Sequence, residues 1–440
     1  WDGSLRWGPL RIVRPRSEAA LVAAVKGARR EGRSVRCIGR CHSYSPVATA
    51  DADALCIQLD GCLCAVTVDP ARRTVTAQAG ARLHAIHAAL AAAGLSLPAT
   101  SALCEETIGG AISVGTHGTG RAHGVMANRI VEMTLVTADS EVLHLSATSN
   151  PQLFEFARVS LGLFGILLEV TLQALPEIFL EKASFSLPAE DLPGRVAKLL
   201  EEEEEDRVLW FLDPAEQIGK IFTRRVVVVA PADESGTDGG GIGGAWAEHG
   251  SGCSAHNPCR DTAYKALAFP PGAFSHKQTE SEFFVPEGDA FALAFTFASW
   301  LRTTRRLADS QPRPGLMLLG RYVAADDIPL SPAFQRASVA LTLIMRHRPD
   351  GGEDGAGEDG ADVAFFARVL EKFQALCLSK GGRPHWAKRH TCGAAELASV
   401  YPRYAKFVAM RARLDPGGMF VSSPHLRQLF VPDTTIDGAR

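Results

Sequence analysis

Between Thr107 and Gly120, five of fourteen residues are glycine (Gly109, Gly110, Gly115, Gly118 and Gly120), interleaved with Thr107, Ser113, Thr116 and His117. A glycine-dense stretch of this kind lets the backbone come close to a ligand with no side chain in the way. Successive amide donors beside Ser and Thr hydroxyls make a concavity suited to a pyrophosphate. A second turn of this type, Ile38-Gly39-Arg40-Cys41-His42-Ser43, directly follows the short apolar run Val35–Ile38. Neither turn reads G-x-G-x-x-G inside a βαβ unit, so a Rossmann dinucleotide fold is not predicted. Taken singly, either stretch could be no more than a tight turn between strands.

The rest of the chain narrows the fold class. Short strands are predicted at Arg11–Val13, Val35–Ile38, Leu55–Leu59, Val66–Asp69, Thr74–Gly80, Val131–Val136 and Ile166–Leu172. Ser17 caps a helix through Arg30, and Leu83–Ala93 forms another that Gly94 ends. Helical texture returns at Ala394–Leu397 and Tyr404–Leu414. This is an α+β pattern, not a strict βαβα register. A chain of 440 residues is long enough for two domains or three. With 46 Lys and Arg against 49 Asp and Glu it carries no basic footprint, and no nucleic-acid partner is expected.

Four further blocks, with the two turns, resemble a known family. They are Glu282–Pro286, Arg321–Pro332, Gly381–His390 with its His385-Trp386-Ala387-Lys388 core, and Leu414–Phe420. In this order they are similar to the family of L-gulonolactone oxidase, D-arabinono-lactone oxidase and alditol oxidase. Those are flavoproteins of the vanillyl-alcohol-oxidase fold. The resemblance implies an α+β FAD-binding domain over residues 1–178, completed by 418–440. It implies a substrate (cap) domain with an antiparallel sheet over 179–417, with the site between the two.

The resemblance also assigns residues. His42 is expected to be bonded covalently to the flavin 8α-methyl; a neutral imidazole is a competent nucleophile. Relatives usually have Gly before this His, and this chain has Cys41, read here as a harmless change. Ile38, Gly39, Arg40, Cys41 and Ser43, with Thr107, Ser113, Gly115, Thr116, His117, Gly118 and Gly120, are expected to hold the pyrophosphate and ribityl chain. Gly165 and Ile166 are expected at the adenine. Gly109 and Gly110 are expected near the reactive face of the ring, where small residues leave room for oxygen. Some proteins of this fold carry a second link to a cysteine; Cys104 falls near that place but is expected to stay free.

Oxidising an alcohol requires a C–H aimed at the flavin, an acceptor for the hydroxyl proton, and cations to stabilise growing negative charge. Arg321 and Lys388 align with the family's two cationic residues. The family places Glu two residues before this Arg; this chain has Leu319. Side chains alternate along a strand, so that Glu would share the Arg's face. Its loss puts the substrate's identity in question, and Glu282 is the candidate to compensate. Thr342 and His385 complete the expected substrate-binding set.

His385, His390 and Cys392, and separately Cys253, His256 and Cys259, look like metal-ligand clusters in isolation, but neither completes a zinc set, and no metal is expected. The cysteines are expected to be reduced or buried thiols. Glu201–Asp206 reads as a solvated acidic run, and Gly236–Gly244 and Gly351–Gly360 as surface loops. Where membrane-bound relatives are apolar and aromatic, residues 229–274 are short, Gly-rich and polar, so a soluble protein is expected. Trp1 leaves a processed start open. The resulting expectation is an FAD-dependent sugar-1,4-lactone oxidase that acts on the hydroxyl next to the lactone carbonyl and reduces oxygen to hydrogen peroxide. Its competitors are an alditol oxidase, a lactone dehydrogenase, and a flavin-binding protein with little turnover.

Overall fold

The structure, a computed structural model, describes residues 5, 11–201, 207–227, 259–262, 278–306, 315–346 and 360–431. Residues 202–206 of the acidic run, the glycine-rich stretches 236–244 and 351–359, Cys253, His256 and 432–440 lie outside the described residues.

Strands β1 (Arg11–Val13), β2 (Val35–Ile38) and β3 (Leu55–Gln58) make a small parallel sheet with β3 in the middle. The helix Glu18–Arg30 joins β1 to β2. Ser17 caps it, its hydroxyl accepting from the Ala20 amide at 3.2 Å. Leu21, Val25 and Ala28, spaced for one helix face, are buried. β4 (Val66–Asp69) and β5 (Thr74–Gln78) begin a second sheet. β6 (Leu95–Ser96) stands apart; β7 (Ile130–Val136), β8 (Val142–Ser146) and β9 (Ile166–Gln173) complete the second sheet in the order β4-β5-β9-β7-β8, all antiparallel. β10 (Leu175–Pro176) pairs with β6.

The third sheet is larger. It comprises β11 (Phe179–Pro188), β12 (Val208–Asp213), β13 (Ile218–Val227), β14 (Cys259–Thr262), β15 (Gln278–Pro286), β16 (Leu316–Val323), β17 (Ser338–Arg346) and β18 (Arg383–Pro384). Its order is β14-β11-β13-β12-β16-β17-β15-β18, antiparallel throughout. Helices cover one face: Phe283 meets Phe373 edge-on at 6.0 Å, and Phe373 meets Phe297 at 5.4 Å. The apolar side chains that alternate along β15 to β17 are buried on that side, so the polar residues of the same strands look the other way. Among the described residues no helix is long and apolar enough to cross a membrane.

Ile108–Ser113, expected as part of one glycine turn, is a short helix. Gly109 permits it: a Cβ there would come within 2.9 Å of Ala79. The helix therefore lies directly on the end of β5.

Candidate active site

The two glycine turns abut. A Cβ on Gly39 would lie 2.3 Å from the Thr107 hydroxyl, so only glycine lets the turn after β2 rest on the start of the second turn. Together they form one wall of a cleft with about 1790 Å³ of empty space, its open mouth included. Ile38 through Ser43, Thr107, Gly109, Gly110, Ser113, Thr116, His117 and Gly165 all line it.

Gly115, Gly118, Gly120 and Ile166 do not line the cleft, and their surroundings give them other work. Gly115 (φ 77°) packs on Pro332, and a Cβ on Gly118 would meet the Thr100 carbonyl at 2.9 Å. Gly120 donates its amide to the Tyr322 carbonyl at 2.8 Å, tying the second turn to β16. Ile166 is a buried β9 residue.

Cys41 is not the neutral replacement expected. Its φ is 56°, in the left-handed region that glycine occupies freely. A side chain there costs about 1–2 kcal/mol. Contact between Cys41 and the small apolar cluster of Ile38, Ala50, Ala54 and Cys56 offsets part of this. Next to it, burial, and then the Arg40 charge, push the His42 imidazole down to about 4, so it is neutral at pH 7. Burial pushes the Cys104 thiol up to about 11, which keeps it from being a ready nucleophile.

The opposite wall is the polar face of the large sheet. Gln278, Glu280 and Glu282 on β15 point into the cleft at every second residue, as do Leu319 and Arg321 on β16 and Ile344 on β17. Pairing places Leu319, Thr342 and Glu282 in one row across three strands. Thr342 is buried behind the cleft lining and donates to Glu282 Oε2 at 2.5 Å. Arg321 donates to the same oxygen. Glu282 thus supplies Arg321 with a carboxylate from two strands away.

His117 joins this cluster, at the sheet side of the cleft. Its Nδ1 is 2.9 Å from the Gly118 carbonyl and its Nε2 is 2.9 Å from Glu282 Oε1. A carbonyl on one nitrogen requires a proton there. A carboxyl oxygen on the other requires a second proton on the Nε2–Oε1 line. Burial pushes the Glu282 carboxyl up, but Arg321 and His117 overrule it and hold it well below the usual carboxylate range. Burial, and then Arg321, drive His117 below the usual imidazole range. The pair therefore shares one proton between Nε2 and Oε1.

Lys388 forms the other charged centre. It pairs with Glu280 and lies 5.0 Å over the Tyr44 ring. Gln278 donates to Glu280 at 2.5 Å. The segment that carries Lys388 is bonded to the back of β15: His385 N donates to the Glu282 carbonyl at 2.9 Å, and Arg389 N to that of Glu280 at 2.9 Å. Trp386, fully buried, stacks on Tyr401 at 4.9 Å and donates to the Leu330 carbonyl at 2.7 Å. That anchor fixes the residues on either side. His385 Nδ1 accepts from the Ala387 amide, so a neutral ring carries its proton on Nε2. Burial pushes it down to about 3, which keeps it neutral.

Three cleft residues escaped the sequence reading. Glu280 lies outside the sequence blocks named above. Arg36 lines the cleft from β2, is 7% exposed, and donates to the Leu161 carbonyl at 2.9 Å. No carboxylate pairs with it among the described residues, and its Nε has no partner. Burial lowers it to about 10. The third, Glu106, lines the cleft just before the second turn and feels the charge of Lys388. The signal for Arg36 was present: a charged residue inside a four-residue buried-type strand.

His385 does gather with other ligand-type groups, but not with His390 and Cys392. Among the described residues its partners are His117 and Glu282, whose ligand atoms lie within 4.8 Å of one another and of its own. Arg321 already supplies positive charge to Glu282. A flavin dinucleotide fits the cleft better. A buried guanidinium without a carboxylate calls for an anion such as a diphosphate. The Gly39–Thr107 contact leaves backbone exposed beside it.

Comparison with known proteins agrees. A family model described as an FAD binding domain matches residues 9–146, and one described as D-arabinono-1,4-lactone oxidase matches 256–429. L-gulonolactone oxidase of Mus musculus is 28% identical over 98% of this chain and 97% of its own length. L-gulono-1,4-lactone dehydrogenase of Mycobacterium tuberculosis is 28% identical over 96% of each. A His121Ala variant of cholesterol oxidase from Brevibacterium sterolicum superposes with a TM-score of 0.74 at 15% identity, covering 95% of this chain and 94% of that one. A berberine bridge enzyme variant superposes with a TM-score of 0.71 at 15% identity, covering 98% and 91%. At those identities the solved structures show the fold alone, the vanillyl-alcohol-oxidase type.

Proposed function

We propose that this chain, which belongs to the sugar-lactone oxidase family and binds FAD, oxidises the hydroxyl next to the carbonyl of a sugar-1,4-lactone and passes the electrons to oxygen, giving hydrogen peroxide. The observation that carries the reading is the buried group on the sheet face: Arg321 held by Glu282, with Thr342 and His117 on the same carboxylate.

FAD, when bound, supplies the two-electron acceptor. Everything else falls to the chain. Arg321 lines the cleft and stabilises the negative charge that grows on the substrate oxygen. The proton that the substrate hydroxyl gives up passes to a carboxylate that lines the cleft, Glu280, while the proton shared between His117 and Glu282 shifts within its own cluster. Lys388 adds a second cation, partly neutralised by Glu280. His385, neutral, offers an N–H to a sugar oxygen. Arg36 faces the diphosphate. His42 takes the covalent link to the flavin 8α-methyl, in line with its neutral ring, and Cys104 stays free. We keep the division into an FAD-binding domain, 1–178 with the C-terminal segment from 418, and a substrate domain, 179–417.

The test begins with the absorption spectrum of purified protein before and after acid precipitation. Yellow colour should stay with the pellet, and His42→Ala should release it to the supernatant. Lactone turnover is then followed by peroxide release and by dye reduction in parallel. Peroxide formation at the rate of dye reduction supports an oxidase. Turnover with dye alone replaces the reading with a dehydrogenase, in keeping with the M. tuberculosis relative's name.

A further inference from the structure

Glu106 has no part in the mechanism so far. It lines the cleft just before Thr107, and its Oε2 is sealed from solvent with no hydrogen-bond partner among the described residues. The charged and titratable groups around it are Lys388, Glu280, Arg321 and Cys104, and Ser101 hydrogen-bonds to it. Lys388, the nearest cation, is already paired with Glu280, and Arg321 with Glu282. A carboxylate here would be one negative charge too many. A neutral carboxyl instead has an O–H to give, to the Ser101 hydroxyl or to a ligand in the cleft that the residue lines.

We propose that Glu106 is a specificity-determining residue that works as a neutral acid, donating a hydrogen bond from its carboxyl to an oxygen of the polyhydroxylated substrate. This rests on the substrate reading above. Burial pushes the group up to about 7, so the donor form predominates below neutral pH and disappears above it. Gln reproduces the neutral donor at every pH. Leu removes it.

The experiment measures KM for L-gulono-1,4-lactone, with xylitol as second substrate, from pH 5.5 to 8.5 in the wild-type holoenzyme, Glu106→Gln and Glu106→Leu. Flavin absorbance reports cofactor content throughout. In the wild type KM is expected to rise about tenfold through the ionisation and then level off. Glu106→Gln should give a KM close to the wild-type low-pH value and independent of pH. Glu106→Leu should raise KM about tenfold at low pH, the loss of one hydrogen bond. A wild-type KM that is flat with pH, or one that Gln leaves just as pH-dependent, overturns the proposal. So does Glu106→Gln protein that has lost its flavin, because the residue then serves the cofactor. If the wild type oxidises xylitol but no lactone, the lactone reading falls while Glu106 is still decided on xylitol.

Discussion

Glu282 and Leu319 together show how a single exchange in a motif can be absorbed by sheet register. Leu319, Thr342 and Glu282 share one row, so a carboxylate at either end can reach Arg321. Glu282→Gln leaves Arg321 without its counter-charge and should lower kcat by about 10²–10³-fold, the scale of losing an oriented charge-stabilising group. Leu319→Glu added to Glu282→Gln should recover part of that loss, because the new carboxylate lies on the same strand face as Arg321. Steady-state kinetics of the single and double variants decides it; a double variant no better than the single one removes the compensation argument. The same residues mark the limit of sequence reading. His42, Arg321 and Lys388 were visible because each sits in a local motif. Glu282 was visible as a candidate to replace the missing carboxylate, but the register that brings it to Arg321, and the partnership of Glu280 with Lys388, were not, because pairing between strands far apart in sequence sets them. His117 was assigned to the cofactor by its glycine context, and a buried carboxylate from β15 drew it into the Arg321 cluster.

Glu106 also has a consequence for stability. Its folded ionisation is raised above the ordinary carboxyl range. The native state therefore binds more protons than the unfolded one between about pH 4.3 and 7. That stabilisation is complete at the acidic end and lost as pH rises through the folded value. Glu106→Gln should thus unfold at lower urea than wild type at pH 5 or nearly the same, yet gain relative to it at pH 8. An advantage that shrinks with pH would reverse the sign of the argument. Cys41 makes the neighbouring case: Cys41→Val puts a β-branched side chain at φ 56° and should cost about 2 kcal/mol or more, read from urea unfolding, with less flavin retained.

At the scale of elements, the cleft depends on strands being placed without error, and Gly320 shows how tightly. It lies in β16 just before Arg321, and a Cβ there would come 2.1 Å from the Trp210 ring of the neighbouring strand. Trp210 is fully buried and stacks on Phe291 at 4.6 Å, so it has no room to withdraw. Gly320→Ala must push β16 away from β12. Overpacking of this kind costs about 1–3 kcal/mol. Arg321 shifts with the strand, so kcat should fall as well while flavin content holds. A variant with wild-type kcat would mean that β16 tolerates the displacement. The apolar runs of β16 and β17 suit strands, and Ser17 and Gly94 marked helix ends correctly. The short helix at Ile108–Ser113 was hidden because two glycines in its first turn weaken the helical signal, and only contact with Ala79 restores it.

At the scale of the whole molecule, the cofactor turn and the substrate sheet are joined by backbone hydrogen bonds. The amides of Tyr44 and Ser45, just after His42, both donate to the Ala387 carbonyl, next to Lys388. The Thr119 hydroxyl donates to the Val208 carbonyl on β12 at 3.0 Å, and Gly120 to Tyr322 on β16. The C-terminal segment closes the other side. Val35 N donates to the Met419 carbonyl at 2.8 Å, Asp51 N to that of Ser422 at 2.7 Å, and Arg427 forks onto Asp51. The strand that leads into the His42 turn is therefore bordered by residues almost four hundred positions later in the chain. Backbone groups shared in this way cannot open on one side alone without exposing their partners. Urea unfolding followed by tryptophan fluorescence, which samples Trp210 and Trp386 in and beside the large sheet, should then coincide with the shift of the flavin's visible spectrum as the cleft opens to water. A chain ending at Leu414 should fail to retain flavin, since β2 and Asp51 lose their partners. Two separated transitions, or a truncated chain that stays yellow, would show that the turn which presents His42 stands without the segment that closes on it.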